Sequence, residues 1–227
     1  MILAHDNTGA FLPLKTITEE WADIIAELKA QDDEAYLPAD YEASVIAGYK
    51  AQKKILLDRF ASMKSAVSEY PFGGAASIPL VLEKPLSRGS ININASNPYG
   101  DPEVNFNTLA NPLDAKIAAK IFQFARKWYN TTTHQQLGPV ESPATANLTT
   151  DKDITRYLRN ALFPSFGHLA STASMMPLEL GGVVAPDLTV YGVKGLSVVD
   201  ASVMPLIPAT HLQATVYAVA SRVSVLW

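Results

Sequence analysis

His168-Leu-Ala-Ser-Thr-Ala-Ser-Met-Met-Pro-Leu-Glu-Leu-Gly-Gly-Val-Val-Ala-Pro-Asp-Leu-Thr-Val-Tyr-Gly-Val-Lys-Gly-Leu-Ser-Val-Val-Asp-Ala-Ser-Val-Met-Pro205 is followed, after a short Pro-containing link, by His211-Leu-Gln-Ala-Thr-Val-Tyr-Ala-Val-Ala220. A histidine opens each part. His168 sits among small residues that let a ligand approach the backbone closely. Residues 163–182 read as a loop. Leu188–Tyr191 and Leu196–Val199 read as two short strands separated by Gly192 and Gly195. His211–Leu226 reads as a closing helix, with the imidazole at its N-terminus, where a helix dipole disfavours added positive charge.

Upstream of this stretch the pattern is first helical. Residues 18–31 place Trp21, Ile24, Ile25 and Leu28 on one face behind a Thr18 cap. Residues 41–64 carry Ile55, Leu56, Phe60 and Met63 at helical spacing, with Gly48 as a candidate interruption. The period then changes to two. Ile78, Leu80 and Leu82 alternate, as do Ile91 and Ile93, and Pro85–Gly89 reads as the tight turn between two paired strands. Asn111-Pro112 caps and starts a helix whose stripe is Leu113, Ile117, Ile121, Phe124 and Trp128. Residues 130–148 read as a long loop, and Thr150-x-x-Asp153 as a capping box opening a helix to about Ala161. The fold class expected is α+β: a mostly antiparallel sheet with helices packed on one face. The whole of 1–227 reads as one domain, with 163–227 as its C-terminal segment.

Composition narrows the function classes. The 227 residues are 48% apolar and 18% charged, a folded profile with enough chain to bury a core. The net charge of −4 and scattered Lys and Arg give no footprint for nucleic acid or an anionic membrane. No stretch is long and apolar enough to span a bilayer. The N-terminus turns polar too early for a signal peptide, so a soluble chain of unassigned compartment is expected. With no cysteine, disulfides, thiolate metal sites and Cys nucleophiles are excluded.

The chain has four histidines. His5 and His134 read as solvated loop residues. His168 and His211 are the candidates for chemistry, although by pattern alone two hydrogen-bonded structural histidines would explain them as economically. A metal site is not expected. Glu179 and Asp200 are the only acids near them in sequence, and no third ligand stands at fixed spacing. No Gly-x-Ser-x-Gly elbow marks a hydrolase, and no Gly-x-Gly-x-x-Gly or Walker sequence marks a phosphate cradle.

The 168–205 run and its continuation from His211 resemble the C-terminal signature of GMC (glucose–methanol–choline) oxidoreductases, nearest to the fungal glucose oxidase and glucose dehydrogenase branch. Pro85-Leu-Ser-Arg-Gly-Ser-Ile91, Asn97-Pro98 and Asp101-Pro102 resemble a strand pair of that family's substrate domain. The resemblance implies a substrate-binding half, with a strand and C-terminal helix that belong to the flavin domain. It implies His168 as catalytic base and His211 as its partner over the substrate hydroxyl. It also implies Asp200, Ala201, Thr215 and Val216 as positions that touch FAD if FAD binds. The family's glycine-rich FAD-binding motif has no match in this sequence. Other departures are Ser171, where the family usually has Gly, Ala185 for Asp, and Thr189 and Ser197 for Arg-like residues.

Three functional expectations follow. The first is a chain without FAD that uses the His pair for non-redox acid–base chemistry: isomerisation, dehydration or cyclisation of a small hydroxylated or carbonyl metabolite. The second is the substrate-binding half of an FAD-dependent alcohol oxidase or dehydrogenase completed by another chain. The third is a non-catalytic binding module. A small-molecule substrate is the expected partner. A homo-oligomer or a flavin-domain partner would cover the apolar C-terminal face.

Overall fold

A computed structural model describes residues 8–72, 78–165 and 167–223. The chain runs β1 (Thr8–Leu12), α1 (Leu14–Ile17), α2 (Trp21–Ala30), α3 (Ala43–Phe60), β2 (Ser68–Phe72), β3 (Val81–Leu82), β4 (Ser90–Asn92), β5 (Glu103–Asn105), α4 (Pro112–Tyr129), α5 (Thr132–Gln135), α6 (Pro143–Ala146), α7 (Asp151–Ala161) and α8 (Leu212–Val223). One antiparallel sheet has the order β1-β2-β3 and a second pairs β4 with β5. The class is α+β.

Helix α4 starts as its sequence dictates: the Asn111 side-chain Oδ1 accepts from Leu113 N–H at 3.0 Å and Pro112 follows the cap. Its stripe of Leu113, Ile117 and Ile121 is buried with Ile24 and Leu28 of α2, Leu56 and Phe60 of α3, and Tyr70 of β2. Burying such side chains contributes roughly 1.5–3 kcal/mol each relative to exposure. Tyr70 spans the gap between sheet and helix, its hydroxyl donating to the Ile121 carbonyl at 3.0 Å. The Thr150 cap of α7 is also present, its hydroxyl accepting from Asp153 N–H.

Several local expectations differ from the structure. Pro85–Gly89 is not a hairpin turn, because β3 pairs back to β2 while β4 pairs forward to β5. A buried polar node takes that segment instead. The Asp114 carboxylate accepts from Leu86 N–H, Ser87 N–H and the Ser87 hydroxyl at 2.6–2.7 Å. Burial pushes its acidity down, and those three donors oppose the effect. The strands expected over 188–191 and 196–199 are reduced to isolated bridges. Leu188, Gly192 and Gly195 all have positive φ, and the chain turns too often there to pleat. Ile78 and Leu80 fall outside β3, whereas β1 and β2 carry too few alternating apolar residues to have been expected as strands. Helix α2 begins at Trp21 rather than at Thr18, whose hydroxyl instead accepts from Glu20 N–H. Residues 130–148 contain the short helices α5 and α6. Arg126 ties them down by donating to the Thr145 and Leu148 carbonyls and pairing with Glu141.

Gly48 does not interrupt α3. It lets the 176–182 loop lie on the helix: a Cβ at this position would stand 2.2 Å from the Leu180 carbonyl oxygen. Farther along, three bonds zip the 171–175 segment to 202–204: Ser171 Oγ to Met204 O at 2.6 Å, Ala173 N to Ser202 O at 3.0 Å, and Met175 N to Val203 O at 2.9 Å. Ser171 has φ +73, a left-handed conformation that favours glycine. Its hydroxyl bond offsets the cost of a Cβ there.

Two stability outcomes follow. Gly48→Ala should lower stability by about 1–3 kcal/mol, because overpacking against a backbone carbonyl outweighs the gain of about 1 kcal/mol in helix propensity. At position 171, Ser171→Ala should cost about 1 kcal/mol, since the strain stays and the bond goes, while Ser171→Gly should be near neutral. Denaturant melts of the three variants against the parent chain measure both.

Candidate active site

The zipped segments carry the two histidines. His168 lies three residues before Ser171 and its N–H donates to the Ser165 hydroxyl at 3.0 Å. His211 lies seven residues beyond Met204, immediately ahead of α8. Their ring centroids are 5.7 Å apart, with the planes inclined by 46°. Hydrogen bonds of about 2.8 Å from each ring could meet at one oxygen between them. His168 is half-buried, and the His211 side chain is 64% exposed.

His211 is held from behind. Its Nε2 lies 2.8 Å from Oε1 of Glu69. Glu69 is only 4% exposed, on the central strand of the three-stranded sheet. A carboxylate only accepts, so with Glu69 ionised Nε2 carries the hydrogen and Nδ1 of a neutral ring keeps its lone pair. This arrangement fixes the ring's orientation and its tautomer together. Sequence reading missed Glu69, which stands 142 residues away in a stretch with no motif. The one available signal was an acid inside Ser68-Glu69-Tyr70, a segment otherwise suited to a strand.

A second acid stands beside it. Glu83 is buried, one residue past β3 and diagonal to Glu69 across the β2–β3 pairing. Burial first, and then the bond to and charge of Glu69, push the Glu83 carboxyl up to about 7; Lys84 opposes the shift.

The other expected positions are placed as follows. The Asp200 carboxylate caps the turn Ala201–Val203, accepting from Ser202 N–H at 2.8 Å and from the Ser202 hydroxyl. That turn packs on α8 through Val203, Val219 and Val223. Thr215 and Val216 are half-buried near the start of α8. His134 is not a plain loop residue. It lies in α5 with its ring 3.8 Å from that of Trp128 and its Nδ1 2.8 Å from the Thr131 hydroxyl. His5 lies outside the described residues.

Known proteins share this sequence and fold. The GMC oxidoreductase family model matches residues 85–220. Dehydrogenase xptC of Emericella nidulans is 34% identical over 215 residues, covering 94% of this chain and 35% of its own length. Among solved structures, an FAD-dependent oxidoreductase from Chaetomium thermophilum superposes with a TM-score of 0.91 at 36% identity, over 95% of this chain and 37% of that one. A fungal aryl-alcohol oxidase gives 0.91 at 35% identity, over 98% and 38%. The chain belongs to the GMC oxidoreductase family and spans about a third of the length of these relatives. They are named as a dehydrogenase, an oxidoreductase and an oxidase, so they favour the oxidoreductase expectation over the non-redox one.

The Glu83 carboxyl has a consequence for stability. Its folded-state value lies above the ordinary 4.5. The neutral form therefore contributes stability that is fully present below about pH 4.5 and lost as pH rises through about 7. The loss should reach at most about 3.5 kcal/mol, at about 1.4 kcal/mol per unit. Thermal melts of the parent chain and of Glu83→Gln between these limits measure it, with the Gln variant giving the flatter profile.

Proposed function

We propose that this chain is the substrate-binding half of an FAD-dependent alcohol oxidoreductase, with His168 and His211 as the acid–base pair over the substrate hydroxyl. The observation that carries the reading is the juxtaposition of the two rings at 5.7 Å, one of them braced by a buried carboxylate. His168 takes the hydroxyl proton as the alcohol carbon is oxidised, and His211, as an imidazolium with Nε2–H on Glu69, donates from Nδ1 to the oxygen. FAD, when bound, supplies the hydride acceptor. The relatives named as pyranose dehydrogenase and aryl-alcohol oxidase support an alcohol as the substrate class.

The residues present fit one edge of the flavin. Ala201 in the capped turn, with Thr215 and Val216 at the start of α8, offers a half-buried surface beside His211. Among the described residues no glycine-rich strand-to-helix turn can receive the pyrophosphate. We therefore place the dinucleotide half of FAD on a flavin domain outside these residues. Phe163, Leu169 and Tyr217 are exposed on the segments that carry the histidines, as a surface covered by such a domain would require.

The test is to supply the chain with a flavin domain from a family member and FAD, then follow the visible flavin spectrum and dye reduction by primary and sugar alcohols. Flavin should be retained, and His168→Ala or His211→Ala should each lower turnover at least about 100-fold while leaving flavin content intact. Turnover unchanged in both variants would refute the assignment. Turnover of a hydroxylated or carbonyl substrate by the colourless chain alone, lost in both variants, would restore the non-redox reading.

A further inference from the structure

Glu69 and Glu83 stand on adjacent antiparallel strands, β2 and the end of β3. Ser68 is opposite Leu82 and Glu69 opposite Val81, and Glu83 N–H donates to the Val67 carbonyl at 2.9 Å. Alternation along a strand puts Val67, Glu69, Val81 and Glu83 on one face. On that face the two glutamates are diagonal neighbours, a spacing that long side chains bridge. They are 4% and 6% exposed, so two buried carboxyls lie within reach of one shared hydrogen bond.

Two ionised carboxylates can only accept and repel each other, so a bond between them requires one proton. The neighbours decide where it rests. Glu69 has His211 Nε2 at 2.8 Å as a donor to its charge. Glu83 has Lys84 beside it in sequence, and Lys84 itself faces Arg59. From β1, Phe11 lies opposite Glu69, and Gly9 leaves room for its Oε1, which a Cβ there would approach to 3.3 Å. No charged residue of β1 meets the pair. The proton therefore belongs on Glu83, whose O–H donates to Glu69, while Glu69 accepts from His211 on its other side.

We propose that Glu69 and Glu83 share one proton, and that Glu83, acting through Glu69, sets whether His211 faces one buried negative charge or two. Glu83 is then a positioning residue. With the proton in place, His211 is backed by a single charge and releases a proton more readily. Once the proton leaves, the second charge holds the imidazolium more firmly, so protonation of His211 is linked to that of a group it never touches. The inference deepens the reading of His211 as a substrate-facing group and rests on it for its functional meaning.

Its test uses neither substrate nor flavin. The 227-residue chain is labelled at the glutamate δ-carbons and the histidine ring nitrogens and titrated by NMR from about pH 4 to 9. Glu83→Gln, Glu69→Gln and His211→Asn give the assignments. Near pH 6 the Glu83 carbon should sit at its acid-form position. The His211 titration in the parent chain should be broadened beyond a single-site curve, and in Glu83→Gln it should sharpen to one. Should the Gln variants fail to fold, through-bond correlations to the backbone assign the two carbons in the parent chain, and its titration decides alone. A Glu83 carbon that titrates with the exposed glutamates, or an acid-form signal on Glu69 instead, overturns the proposal, as does a His211 curve that Glu83→Gln leaves unchanged. An absence of alcohol oxidation would sink the functional reading and leave this coupling standing. A missing coupling would do the reverse.

Discussion

The buried guanidinium of Arg88 holds together the parts on which the histidines depend. It donates to the carbonyls of Pro85, Leu86 and Ser87, and through Nε and a terminal nitrogen to Gln52 Oε1 at 3.3 and 3.1 Å. Burial lowers its basicity, with no carboxylate bonded directly to it. Gln52 then passes the constraint on, its amide donating to the Pro205 carbonyl at 2.8 Å. Pro205 directly follows the zipped residues 202–204 and leads into the link to His211. A displaced Arg88 would leave Gln52 Oε1 without its donor, and the His211 link would lose its tether to α3. The conformation of 85–89 is in turn fixed by Asp114 on α4, so the helical core reaches the site through two buried polar nodes.

The Glu69–His211 contact completes the geometry from the opposite side. Gln52 anchors the backbone ahead of the histidine, whereas Glu69 anchors the ring. A ring that is 64% exposed has many orientations open to it in water. A partner on a buried strand face reduces that choice, and burial strengthens the bond because water competes poorly there. Among the described residues no side chain hydrogen-bonds the His168 ring, and its position is set by the backbone zip and by Ser165. The two histidines are thus held by different means: one through its side chain, the other through its loop.

Much of the fold was legible because periodicity reports burial. Helices α2, α3, α4 and α7 follow from apolar spacing and caps, and α8 from the pattern after His211. The strands were read less well. Sheet pairing depends on partners far apart in sequence, so nothing local separates a Pro85–Gly89 hairpin from a segment pinned by Asp114. Ser68-Glu69-Tyr70 lacks alternation because one of its inward positions is polar for the site's sake. His168 and His211 stood out through the resemblance, since a lone histidine carries no spacing signal. Glu69 and Glu83 could not be found that way: their meaning arises only when β2 and β3 are in register.

The buried and exposed halves of the site also explain why it reads as one wall of a pocket. Acid–base groups act most strongly where water is excluded. The scaffold behind the histidines meets that condition, with Glu69, Glu83 and Asp114 buried and Arg88 half-buried. The rings themselves do not. A cavity of about 500 Å³ is lined by Phe11, Arg59, Lys84 and Ala209, among others, but by neither histidine. Exposed apolar side chains instead lie on the histidine-bearing segments. A second body closing over that surface would exclude water from the rings and cover the apolar side chains in one step. The proposed flavin domain would be such a body, closing over a His211 ring that Glu69 braces from behind while its other side stays open to solvent.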